Sequence, residues 1–417
     1  MTQPLFFEPL LAERIWGGQK LKSHLHKSFK SDLLIGESWE LSSVEGLSSP
    51  VKINALTPSS LSTSPQEQRE VNKSLRQLSE PDPQGSSQTS PFPDSSTLSQ
   101  YLRTLLTQPG LEIPTLNQLC KTFPQDLLGT QFSGTDFPLL VKLIDAQDKL
   151  SVQVHPGDNN PLGPAKSEAW YIIDAPPEAF LYVGIASGFS PEQVLERIKS
   201  GKTQDILAKI PVQSGDVIYI PGRTLHAITE GMLIYEIQQT SDCTFRVYDW
   251  DRLDNQGKPR KLHISEAMAT LNCEPGGPYL QKPQPLTWKD QSWICLPKES
   301  TQTENPGTYT NTLGFTPDSC VQAQRLLHTP YFILDQFFVT TSPLPLPTQN
   351  CFQILTNLGP AVSIHAGPHT YILPFGQTCL LPACLTQIHL QLAPSATPNP
   401  SLPLRPQGLL RATLPVA

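Results

Sequence analysis

From residue 137 the apolar side chains change their spacing from one that turns a helix to one that alternates. Residues 139–143 and 150–155 read as strands, because apolar and polar positions alternate and helix starts and stops vanish. Just upstream, Thr115 is placed to N-cap a helix with Leu116, Leu119 and Phe123 on one side. Pro124 opens a further turn that ends at Gly129. Downstream, Ser190 and Gln193 form a capping box around Pro191, with Val194, Leu195 and Ile198 as the apolar face and Gly201 as the stop. Residues 203–210 are expected to add a short helix. Strands resume over 216–220, 232–238 and 244–249.

Beyond residue 275 the chain shows short strands separated by Pro and Gly, at 331–340, 351–356, 371–373 and 379–381, which suggests a second sandwich or jelly roll. Between 57 and 97 Ser, Pro and Gln crowd out apolar residues, so that stretch buries too little surface to offset its ordering entropy. It reads as a surface insertion with one weak helix over 66–78, and a shorter helix is expected to follow over 98–106. The expected fold class is mainly β, two β jelly rolls with attached helices and a low-complexity insertion. The expected domains are 1–56 with 115–275, an insertion at 57–114, and 276–417.

At 417 residues the chain exceeds one ordinary core, in keeping with two domains. A formal net charge of -7 and the lack of a basic stripe argue against nucleic acid and favour a small-molecule substrate. No secretory signal or membrane-spanning run is apparent, so a soluble, cytoplasmic protein that does not bind membranes is expected. The eight cysteines are scattered without a Cys-x-x-Cys pair and read as buried free thiols.

The chemistry is concentrated in 150–226. Ser151, Gln153 and His155 project to one face of their strand while Leu150, Val152 and Val154 project to the other. A lone histidine there would most simply be a hydrogen-bonded structural residue. Glu168 follows at the head of the next strand, and His226 follows a tight Pro221-Gly222 turn. Two imidazoles, a carboxylate and an in-phase glutamine make a ligand set for a divalent cation. The bland alternative pairs Glu168 with Lys166 at the surface, a contact worth only about 0 to 1 kcal/mol. Glu236 and Gln238 share a face of a later strand, where an inward carboxylate is costly unless paired or functional. Arg246 lies in a β-branched and aromatic strand and either pairs with Glu236 or Asp242 or faces a pocket. His365 and His369 read as solvated loop histidines.

At these residues the chain resembles the type I mannose-6-phosphate isomerases, zinc enzymes of the cupin superfamily. The similar segments are Arg14-Ile15-Trp16-Gly17-Gly18, Gly36-Glu37-Ser38-Trp39-Glu40, residues 137–142, 150–156, Glu168-Ala169-Trp170-Tyr171, Thr224-Leu225-His226-Ala227, 236–242 and Arg246-Val247-Tyr248-Asp249. The resemblance implies zinc held by Gln153, His155, Glu168 and His226, and an active-site arginine at Arg246. It also implies that Trp16, Ser151, Lys166 and Glu236 line a sugar-phosphate pocket, and that 276–417 forms a metal-free cupin-like domain. The turn before His226 departs from the cupin pattern Pro-x-Gly, since Gly222 directly follows Pro221 and Arg223 stands at the glycine position.

The expected activity is interconversion of mannose 6-phosphate and fructose 6-phosphate through an enediol. Such a reaction needs an acid/base group beside the transferred proton. Glu236 is the first candidate, Lys166 the second and a metal-held water the third. Arg246 is expected to anchor the phosphate or to stabilise the enediolate, and Trp16 and Ser151 to contact substrate. Two other readings fit the same ligands: a cupin-type non-haem iron oxygenase and a sugar-phosphate sensor without turnover.

Overall fold

The alternation that starts at residue 137 is realised in a six-stranded antiparallel sheet. Its order is Val217–Ile220, Glu168–Asp174, Met232–Gln239, Leu139–Ala146, Ile35–Leu41, Leu10–Gly18. The computed structural model describes residues 3–53, 97–107, 111–295, 323–394 and 408–415, apart from 133, 254, 255, 275, 278, 290, 291, 347 and 349. Most of the expected insertion, with its helix over 66–78, lies outside the described residues; Leu98–Thr107 is helical as its periodicity predicts.

Leu139–Ala146 is buried along its whole length, so its two faces look into two different interiors. On one side Ile144, Trp170, Ile172 and Ile234 pack with Leu181 and Val183 of a second, five-stranded sheet. That sheet runs Leu207–Pro211, Phe180–Ile185, His226–Ala227, Val152–Val154, Phe245–Tyr248. Its far face, through Val152, Val154, Phe245 and Val247, is covered by Val194 and Ile198 of the helix Pro191–Lys199 and Ala267 of the helix Ile264–Thr270. On the other side Val141, Leu143, Tyr171 and Tyr235 pack with Leu334, Ile354, Leu410 and Ala412 from the C-terminal half. Those residues belong to an eight-stranded sheet, whose far face makes a third core with a four-stranded sheet through Leu355, Leu381, Val362 and Leu390. The fold is thus mainly antiparallel β, with helices on the outside. The first strand, Leu5–Phe6, pairs with Thr378–Leu381 and so belongs to the eight-stranded sheet of the far half.

The expected caps form. Thr115 and Gln118 make a reciprocal capping box for Leu116–Thr122, and Ser190 and Gln193 do the same for Pro191–Lys199. Two expectations are corrected. Residues 203–210 are helical only over Thr203–Ile206; Leu207–Pro211 is a strand whose backbone is satisfied by pairing with Phe180–Ile185. His365 and His369 lie on strands rather than in a loop, because Gly367-Pro368 closes a hairpin between Val362–Ala366 and His369–Leu373, with Gly367 at φ 57. Cys120, Cys243, Cys273, Cys351, Cys379 and Cys384 are free thiols, and Cys120, Cys351 and Cys379 are buried. Among the described residues no helix is long and apolar enough to cross a membrane.

One buried ionic cluster ties the eight-stranded sheet together. Asp335, with no exposed surface, stands between its cross-strand neighbours Arg325 and Arg411. It accepts from Arg325 Nε at 2.8 Å and from Arg411 Nη2. Asp335→Asn leaves two guanidiniums without their shared anion, and a loss of about 3 to 5 kcal/mol is expected. A urea midpoint like that of the unsubstituted protein would show the cluster to be energetically idle.

Candidate metal centre and its pocket

Cross-strand pairing aligns the first part of the site. Arg246, Gln153, His226 and Val183 are directly opposite one another in successive strands of the five-stranded sheet, so their side chains share its inner face. Glu168 opens a strand of the six-stranded sheet and faces them across the gap, in register with Gln238 and Ile220. The turn that delivers His226 is latched to the segment after His155. Arg223 N donates to His155 O at 2.7 Å, and a Cβ at Gly222 would meet Pro156 O at 2.6 Å. Arg223, at the position where the cupin pattern has glycine, adopts φ 71. That left-handed backbone costs a non-glycine residue about 1 to 2 kcal/mol. It is held by Arg223 Nε donating to Thr270 O at 3.0 Å and by Asn272 N donating to Arg223 O at 2.9 Å.

His155, Glu168 and His226 are buried, and one donor atom from each lies within 4.8 Å of the others. Both imidazoles are oriented by backbone: His155 Nδ1 meets Cys243 O at 2.9 Å, and His226 Nδ1 meets Thr224 O at 2.8 Å. Each carbonyl requires a proton on Nδ1, which leaves both Nε2 lone pairs turned inward. Those Nε2 atoms lie 3.4 Å from Glu168 Oε2 and 3.4 Å from Glu168 Oε1 respectively. Ligands about 2.1 Å from a tetrahedral ion are separated by about 3.4 Å, so the observed spacing fits a first-row cation. Gln153 Nε2 lies 3.4 Å from His226 Nε2, and a half-turn of the amide would present its oxygen instead.

The electrostatics agree with that fit. Neither carboxylate oxygen of Glu168 has a well-directed hydrogen bond, although Lys166 Nζ stands 2.8 Å from Oε2. Burial works against the Glu168 charge, but Lys166 and then the histidines hold its carboxyl well below the usual range. Burial, then the Lys166 charge, depresses His155 to about 3, and burial likewise lowers His226. Both shifts favour the neutral imidazole, the form that binds metal. Burial pulls Lys166 down, yet Glu168 and Glu236 outweigh it, so the ammonium is stabilised.

Beside this cluster opens a cavity of 430 Å3, within the usual range for a small-molecule site. Trp16, Ser151, Gln153, Lys166, Glu236 and Arg246 all line it, so the structure gathers every expected pocket residue. Lys166 links the pocket to the cluster, since Nζ also lies 3.0 Å from His155 Nε2. Glu236 Oε2 accepts from Trp170 Nε1 at 2.9 Å, while Oε1 lies 3.3 Å from Lys142 Nζ without a directed hydrogen bond. Burial, then Glu168, raises the Glu236 pKa above the ordinary carboxylate value. Arg246 makes no ion pair with Glu236 or Asp242; its Nε donates to Ser151 Oγ at 3.3 Å.

Glu37, Trp39, Lys142 and Arg260, to which the sequence pattern alone gives no role, line the same cavity. Lys142 carried a usable signal, a charge inside the apolar run 139–146, and it stacks over Trp39 at 4.5 Å from the ring centre. Glu37 accepts from Arg14 at 2.6 Å and Trp39 Nε1 at 3.0 Å.

A family profile described as phosphomannose isomerase type I, catalytic domain, matches residues 110–178. The probable mannose-6-phosphate isomerase GmuF of Bacillus subtilis (strain 168) is 36% identical over 278 residues, covering 65% of this chain and 69% of that protein. The chain belongs to the type I mannose-6-phosphate isomerase family. Its fold agrees with that of solved isomerases. The mannose 6-phosphate isomerase of Bacillus subtilis superposes with a TM-score of 0.67 at 22% identity, over 99% of each chain. A mannose 6-phosphate isomerase bound with zinc and yttrium gives 0.59 at 11% identity over 100% of each chain.

Proposed function

We propose that this protein interconverts mannose 6-phosphate and fructose 6-phosphate, using a divalent metal, zinc, held by Gln153, His155, Glu168 and His226. Family membership supports the substrate pair, and a solved isomerase of the same fold carries zinc. The observation that carries the reading is the buried His155, Glu168 and His226 cluster opening beside a pocket that contains Glu236, Lys166 and Arg246. In this reading residues 1–56 and 115–275 form the catalytic cupin unit, apart from the strand Leu5–Phe6 that pairs into the far half, and 276–417 a second, metal-free one. A bound zinc ion supplies Lewis acidity toward the oxygens on the reacting carbons without changing oxidation state.

The protein's own groups must move two protons. One passes between C2 and C1 of the sugar, and one between the two oxygens, so that no atom is gained or lost. Glu236 is the base for the carbon-bound proton: its Oε1 is buried without a directed hydrogen bond, and its raised pKa makes it more basic than an exposed carboxylate. Lys166, kept protonated by Glu168 and Glu236, donates to oxygen. Trp170 holds Glu236 Oε2 and fixes which oxygen faces the substrate. Trp16, buried and lining the pocket, excludes water from one side of the sugar, and Ser151 with Arg246 contacts its polar groups.

The direct test is conversion of mannose 6-phosphate by the purified protein before and after chelation, with zinc added back. Turnover that vanishes on chelation and returns with zinc is expected. Oxygen consumption with iron, or ligand binding without turnover in the zinc-loaded protein, would overturn the reading.

A further inference from the structure

The cations that line the pocket are not equally neutralised. Arg14 contacts Glu37 at 2.6 Å, Lys142 lies 3.3 Å from Glu236, and Lys166 lies 2.8 Å from Glu168. Arg246, by contrast, has no carboxylate at ion-pair distance among the described residues; its partners are Ser151 Oγ and Lys261 O, at 3.3 and 2.9 Å. Arg260 lines the same pocket and donates Nε and Nη2 to Asp249 at 2.7 and 2.5 Å. Asp249 is shared, because Arg252 Nη2 also donates to it at 2.7 Å. Two guanidiniums thus share one buried carboxylate while Arg246 beside them has none, and the surplus positive charge of the pocket lies at the Arg246 and Arg260 corner. Arg252 has a second partner in Asp148, at 3.2 Å, and does not line the cavity.

The corner is built rather than incidental. Residues 260–263 strap the Phe245–Tyr248 strand: His263 N donates to Arg246 O at 2.8 Å, and Arg246 N donates to His263 Nδ1 at 3.1 Å. The strap fixes Arg246 and Arg260 together, with Asp249 locking the second fork from behind. Burial and then the Arg260 charge disfavour the Arg246 cation, as expected for like charges held close. A dianionic ligand between them relieves that repulsion. Elsewhere in the pocket Glu37, Glu236 and Asp242 repel such a ligand.

We propose that Arg260 is a specificity-determining residue that completes, with Arg246, a two-pronged clamp for the phosphate of the substrate, and that Asp249 is its positioning residue. The proposal rests on the isomerase reading for the identity of the substrate. A phosphate monoester carries about -1.5 to -2 charges at neutral pH, which two guanidinium forks match and one does not.

The test compares zinc-loaded wild type with Arg260→Gln for KM, kcat, and inhibition by inorganic phosphate. Loss of one charge-assisted contact is expected to raise both KM for mannose 6-phosphate and Ki for phosphate about 10- to 100-fold, with kcat changed far less. Unchanged KM and Ki, or a fall in kcat at constant KM, overturns the clamp. Should Arg260→Gln fail to fold, Arg260→Lys keeps the charge without the fork. A several-fold rise in both constants is expected there, and wild-type values overturn the proposal. Calorimetric binding of inorganic phosphate to wild type and variant separates the two readings. If wild type shows no turnover yet binds phosphate in an Arg260-dependent way, the isomerase reading fails and the clamp stands.

Discussion

His226→Ala is expected to release the metal and lower kcat by about a thousandfold or more. The metal's share of transition-state stabilisation is several kcal/mol, and each 1.4 kcal/mol is a factor of ten. His226 is fully buried, its Nδ1 is committed to Thr224 O, and its Nε2 lies 3.4 Å from Glu168. Removing the ring takes one of the inward donors and leaves Glu168 facing a void. Metal content by elemental analysis and turnover should fall together. The control is His389→Ala, since His389 stacks on His365 at 4.4 Å in the four-stranded sheet, and it should alter neither reading. A His226→Ala protein that retains one tightly held zinc and full turnover would remove His226 from the ligand set.

Glu236→Gln is expected to lower kcat by about 100- to 10,000-fold, the usual contribution of a positioned acid/base group, while zinc content stays the same. The amide keeps the shape and the Trp170 contact to one of its atoms but cannot take a proton. The pH profile gives an independent reading. A base works only when deprotonated, and burial with the nearby Glu168 raises the Glu236 pKa, so wild-type kcat/KM should rise with pH through a value above the ordinary 4.5. That acidic limb should disappear from the residual activity of Glu236→Gln. A limb that persists unchanged would assign it to another group, with Lys166 the next candidate.

The inner wall of the catalytic sheets was legible because it breaks a rule locally. Gln153 and His155 on one side of a strand, and Glu236 amid apolar neighbours, are polar groups at positions where burial is costly, which is where function is expected. The helix caps were legible because they are local chemistry within four residues. The strand Leu207–Pro211 was not, since only its pairing with Phe180–Ile185 decides between strand and helix. The strands holding His365 and His369 are masked by Gly367-Pro368, a loop signal in the sequence that closes a tight hairpin in the fold. Arg260 was invisible for another reason. It sits in a segment without periodicity, and the role proposed for it follows from its pairing with Asp249 and its place beside Arg246 in the pocket lining, which only the folded chain brings together.

The pairing of Leu5–Phe6 with Thr378–Leu381 has a consequence for synthesis. Leu5–Phe6 is made before the site-bearing strands, yet it belongs to a sheet whose other members are made after them. The site-bearing pair of sheets, drawn from residues 10–249, can assemble during translation, whereas the far sheet gains its edge strand only after residue 381 has emerged. Until then Leu5–Phe6 waits without its partner strand, and the outer face of the six-stranded sheet waits for the C-terminal residues that cover it.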